Sequence, residues 1–107
     1  MSVYGQWKDC VITIATDDDL SAAVDLGGDY DLMEIQIPTL TSANLAVHTS
    51  ELLGGTYVAL GDASNVLAAG TGGFNDVFRL GGYRYIKIAT SAGQAANRTF
   101  RVRGMRY

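Results

Sequence analysis

Six aspartates, Asp17, Asp18, Asp19, Asp25, Asp29 and Asp31, crowd one stretch of the chain and are its first candidates for chemistry. Carboxylates at this density could hold calcium, which takes six to eight oxygens in a defined cage. The spacing does not match a calcium loop, because Asp29-Tyr30-Asp31 lacks the glycine and further ligands that an EF-hand places after such a start. The stretch reads as a solvated acidic loop. His48 is the single histidine and Cys10 the single cysteine, so those two types cannot build a zinc site within one chain. Cys10 reads as a small buried hydrophobe. Ser50 lies two residues from His48, but a triad needs a third, orienting group. Gly70-Thr71-Gly72-Gly73 is not followed by a lysine-bearing helix and reads as a turn, not a phosphate cradle. Carboxylate pairs serve glycoside hydrolysis only across a cleft. None of the roles of an active site is filled, and the expectation is a protein that is not an enzyme and carries no cofactor or metal.

What remains is surface. Val3, Tyr4 and Trp7 are apolar, have no clear period, and fall in an expected N-terminal arm over residues 1–8. Tryptophan is enriched among interface anchors, and a terminus frays unless something ties it down. The arm is therefore expected to lie across a neighbouring subunit or the surface of a larger assembly, with Trp7 as anchor; the competing reading has Trp7 capping its own domain. Tyr83 and Tyr85 share one face of a strand, and Arg101, Arg103 and Arg106 crowd the C-terminal end. These eight residues are the candidate interface.

The net charge of −3 conceals an asymmetry. Every acid except Asp76 lies at or before Asp62, and every base except Lys8 lies after it. Either the two halves pair their charges across a sheet, or the molecule has an acidic and a basic face. The bases are few and interleaved along strands in an acidic chain, so nucleic acid is not expected as a partner.

The elements that must position these residues are strands. Residues 77–88 hold two apolar–polar alternations broken by Gly81-Gly82, which reads as two strands and a turn. Further period-two runs cover residues 9–16, 20–26, 33–37 and 98–103, with strands also expected over 44–49, 56–60 and 65–69 and a glycine-rich loop over 70–75. Eight or nine short strands in 107 residues predict an all-β chain, a single-domain, jelly-roll-like antiparallel β-sandwich over residues 9–107. Its expected core is Ile12, Ile14, Ile35, Ile37, Phe78, Leu80, Ile86, Ile88, Phe100 and Val102. The composition, 48% hydrophobic and 18% charged, is that of a globular chain. A lone cysteine allows no intrachain disulfide and fits a reducing compartment. The first residues do not resemble a signal peptide, and no apolar run nears the ~20 residues that span a bilayer, so no membrane is expected.

Four runs, residues 23–28, 33–38, 55–60 and 83–88, together resemble the small all-β virion proteins of tailed bacteriophages. That resemblance implies a structural subunit, most of all a capsid decoration or cement protein. Such a protein would be made in the bacterial host cytoplasm, trimerise, and bind the major capsid protein on the outer capsid surface. A head–tail or tail subunit is the nearby alternative. The run Arg84-Tyr85-Ile86-Lys87-Ile88 is also similar to a strand of discoidin-like carbohydrate- or receptor-binding domains, which are longer and often cysteine-bridged.

Overall fold

A computed structural model of the chain describes residues 3–61 and 66–106; of Val3 it describes the backbone alone. The described residues contain strands and turns and no helix. Among the described residues six strands occur, in the order β1 (Val3–Tyr4), β2 (Lys8–Ile12), β3 (Val24–Ser50), β4 (Val58–Ala59), β5 (Leu67–Thr90) and β6 (Arg98–Arg106). All pairings between them are antiparallel. They make one sheet that curls into a half-barrel.

Two of the strands are far longer than the sequence periodicity predicts. β3 runs for 27 residues and β5 for 24, and they pair with each other along most of that length. The glycine pairs explain the difference. Gly81 and Gly82 have φ of +71° and +97°, but the chain does not reverse there, because the segments on both sides pair with β3. The ladder slips at this level, between Asp25 and Leu32 of β3, where Gly27 also has positive φ. A second slip separates Thr39 and Ala43, opposite Gly70 and Gly72. Glycine reaches positive φ without a Cβ penalty, which a bulge needs as much as a hairpin turn does. The expected turn at 81–82 and the expected loop over 70–75 are therefore corners at which paired strands bend together. At the second corner the strands approach so closely that a Cβ on Gly72 would overlap the Pro38 carbonyl oxygen.

Bending divides the sheet into two layers that share β3 and β5. In one, β6 lies between β2 and the middle of β3, and β5 flanks β3 on its other side. In the other, the C-terminal part of β5 has both ends of β3 as neighbours: Ile86 faces Val24 on one side and Thr49 on the other. Residues 20–22 close one side. Ser21 N–H donates to the Ile88 carbonyl (2.9 Å), Ala22 N–H to the Val11 carbonyl (3.0 Å), and the buried Ser21 Oγ accepts the Ile88 N–H (2.8 Å).

The core inside the curl of the sheet includes Ile12, Ile35, Ile37, Phe78, Leu80, Ile86, Ile88, Phe100 and Val102, as the alternation predicts. Ile14 is the exception at 42% exposed. β2 stops at Ile12 because residues 13–17 fold into a turn, with Thr16 and Asp17 N–H both donating to the Thr13 carbonyl (2.9 and 3.0 Å). Ile14 therefore never enters the alternation, and its N–H donates to Asn97 Oδ1 (3.0 Å). The expected second strand likewise starts late, at Val24, and the strand expected over 56–60 shrinks to β4. Of the edge strand expected over 65–69, Asn65 lies outside the described residues, Val66 precedes the strand, and residues 67–69 open β5.

Candidate functional site

Strand β6 carries Arg101 and Arg103 on the outer side of the first layer. Arg101 and Arg103 alternate with the buried Phe100, Val102 and Gly104, so both guanidinium groups face out. Each has an acid beside it from the first half of the chain: Arg101 Nε lies 3.3 Å from Asp9 Oδ1, and Arg103 Nη2 lies 3.0 Å from Glu34 Oε1. A third pair, Arg84 with Asp25, joins the halves in the other layer. Three cross-strand pairs among the described residues thus join the acidic and basic halves, in the manner of the first of the two readings.

The expected arm is held by its own chain. Val3 and Tyr4 pair with Arg106 and Met105, and Gly5 N–H donates to the Gly104 carbonyl (2.8 Å). The half-buried Trp7 lies beneath both arginines, 4.6 Å from Arg103 and 5.9 Å from Arg101, and Tyr4 lies 4.7 Å from Arg103. Arg103 is therefore held between two aromatic faces, each contact worth ~0.5–1 kcal/mol at an exposed site. Its Nε is buried and has no hydrogen-bond partner among the described residues. Tyr4, Trp7, Arg101 and Arg103 form one cation–aromatic patch, in which the exposed edge of Tyr4 offers the largest apolar surface. Arg106 turns to the other side of β6 and sits 5.5 Å over the buried Tyr30 ring. Met1 and Ser2 lie outside the described residues.

Tyr83 and Tyr85 belong to the other layer, where both are half-buried. Tyr85 receives Arg84 at 5.3 Å, and Tyr57, which had no role in the sequence reading, receives Lys87 at 4.9 Å. Of the eight candidates, the structure places Tyr4, Trp7, Arg101 and Arg103 in a β1–β6 patch, Tyr83 and Tyr85 on β5, and Arg106 on the other side of β6, while of Val3 only the backbone is described. Arg84 donates through Nε and Nη2 to the two oxygens of Asp25 (2.7 and 3.0 Å). This fork, with a further bond from Gly27 N–H, holds the Asp25 carboxyl below its usual range. A lowered folded-state pKa contributes stability above the ordinary carboxylate pKa of ~3.9 and loses it as pH falls through the folded value. Both groups are partly solvated, so the effect is small. Asp25→Asn should lower the urea midpoint slightly at pH 7, and the difference from the parent should close under acid. A gap of constant size down to pH 2 would assign the loss to packing.

The residues first considered for catalysis are occupied elsewhere. Ser50 Oγ donates to the Leu52 carbonyl (2.7 Å) and accepts Leu52 N–H (3.1 Å), while His48 faces Lys87 and Ala59 across the ladder. Cys10 is buried, its thiol bonds to Ser21 Oγ (3.0 Å), and burial pushes its pKa up to about 11. Asp17, Asp18 and Asp19 do gather, with one oxygen of each within 4.8 Å of the others, but all three are exposed. Sharing a hydrogen bond lowers the Asp17 pKa and raises that of Asp19.

The sequence reading missed a polar row on the same outer face as Arg101. Asp9, Arg101, Gln36 and Asn75 are successive partners across β2, β6, β3 and β5, and all four are exposed. A depression of about 430 Å³ adjoins the row, lined by Gln36, Asn75 and Arg101 together with Pro38, Phe74 and Thr99.

No family model matches the chain, and no curated protein matches it. Among solved structures the chain is similar to the SPBc2 prophage-derived protein YomS, with a TM-score of 0.53 at 10% identity over 94% of this chain and 93% of that one. At this identity the likeness concerns the fold, which the two chains share over nearly their whole lengths.

Proposed function

We propose that the chain is a non-enzymatic structural protein of a phage virion. The observation that carries the reading is the agreement of fold, over nearly the whole of both chains, with a prophage-derived protein. The strand patterns that resemble small virion proteins support it from the sequence side. We read the curled sheet as a jelly-roll-like sandwich whose two layers share β3 and β5. Within the virion the role we assign is capsid decoration: a homotrimer on the outer shell that contacts the major capsid protein. The β1–β6 patch suits such contact, because aromatic and arginine side chains anchor interfaces when desolvated.

Purified particles of a phage that encodes the chain test this directly. The protein should be found in the particle by mass spectrometry, in multiple copies and on the head by immunogold labelling. Particles without it should open at lower temperature, since a ligand of the assembled shell stabilises that state. Label on the tail would move the assignment to a head–tail or tail subunit. Absence of the protein from the particle would overturn the virion reading altogether.

A further inference from the structure

The first layer ends at β5. Residues 75–79 pair with residues 32–36 of β3, and among the described residues nothing pairs with their other side. Val77 N–H donates to the carboxylate of its own neighbour, Asp76 Oδ1 (2.7 Å), and so points to the free side. N–H groups alternate in direction along a strand, so those of Asn75 and Arg79 point the same way. The Val77 side chain is 50% exposed and lies on the outer face with Asn75 and Arg79. An open edge is a template for another strand, and folds blunt it with lysine, proline or a covering element. Residues 74–80 hold neither lysine nor proline. The guard here is the Asp76 carboxylate on the Val77 donor.

This run is its own complement. It carries one acid and one base, Asp76 and Arg79, and Arg79 makes no ion pair among the described residues. Two copies of the edge set antiparallel about a two-fold normal to the sheet keep their inner faces on one side, so residues of like facing meet. With the two-fold at Val77, midway along the run, Val77 of one copy meets Val77 of the other. Asn75 then meets Arg79 on the outer face, where the guanidinium donates to the amide oxygen. On the inner face Asp76 lies beside Phe78 and Phe74 beside Leu80. The three outer residues are those whose N–H groups face out, and each pair exchanges two backbone hydrogen bonds. A two-fold at Asp76 or at Arg79 would set like charges opposite each other. We propose that β5 docks against β5 of a second copy, antiparallel about Val77, so that the first layers of two molecules make one continuous sheet. Such a contact is two-fold and cannot by itself close a trimer. It goes beyond the virion reading and stands without it.

The test is sedimentation of the full chain from micromolar to millimolar concentration, with amide exchange followed by NMR. The mass should rise with concentration, and the amides of Asn75, Val77 and Arg79 should gain protection with it. Val77→Lys and Val77→Glu should each weaken association about tenfold by setting like charges opposite, and an equimolar mixture of the two should restore it. Val77 is exposed, so both variants should keep the spectral dispersion of the parent. Asp76→Ala should strengthen association, because the Val77 donor then has no acceptor in the free molecule. A mass independent of concentration, a mixture that associates no better than either variant alone, or weaker association in Asp76→Ala would each overturn the proposal. A trimer that persists in Val77→Lys with the three amides unprotected would overturn the edge pairing and leave the homotrimer standing.

Discussion

Ile86→Ala is expected to cost roughly 2–5 kcal/mol, a large share of the ~5–15 kcal/mol that holds a domain of this kind together. Ile86 is fully buried, and its strand has a neighbour on each side, Val24 and Thr49, both from β3. A truncated side chain there opens a cavity in the middle of the second layer, and the corners of β3 and β5 on either side of it hinder collapse. Urea unfolding followed by tryptophan fluorescence measures the change, with Val77→Ala on the exposed face as the control within about 0.5 kcal/mol of the parent. A loss no larger than the control's would mean that Ile86 does not lie where the layers meet.

Gly104→Ala is expected to destabilise by about 1–3 kcal/mol, against the sign that local propensity gives. Replacing a strand glycine by alanine ordinarily helps, because the unfolded chain loses freedom it would otherwise keep. Here a Cβ would fall within the Tyr30 ring, which lies flat on Gly104 and reaches Gly5 with its hydroxyl. The ring is buried, with Arg106 over it, so it has little room to retreat. The same substitution with Tyr30 shortened to serine should lose less than the sum of the single changes. Stabilisation by Gly104→Ala alone would show that the ring is not seated there.

These two positions mark what is legible in the chain and what is not. Ile86 can be read from alternation, because a half-buried strand repeats every second residue whatever its partner. The role of Gly104 cannot, since it follows from Tyr30, which is distant in sequence and arrives only through the pairing of β3 with β6. Gly81-Gly82 shows the same limit. Positive φ is readable from a glycine pair, but whether the chain reverses or only bends depends on the strand alongside. The alternation over 9–16 predicts a buried Ile14, but the turn already begins at Thr13 and takes Ile14 out of the strand. The surface was harder still. The arginines of β6 stand out by type, and two of the other candidates, Tyr4 and Trp7, lie against Arg103. Gln36 and Asn75 are ordinary exposed amides along the sequence, and register alone sets them beside Arg101.

The sharing of β3 and β5 between the layers bears on how the chain reaches this state. Neither layer can order while the other remains loose, because ordering one fixes the path of strands that also belong to the other. Most of the pairing joins residues far apart along the chain, and topologies of this kind fold in milliseconds to seconds, not microseconds. The long β3–β5 hairpin is the smallest unit that can nucleate, and the clasp between Ser21 and Ile88 can form only after it. Refolding should therefore follow a single slow exponential, with protection of the Ile88 amide appearing no earlier than that of the β3–β5 ladder.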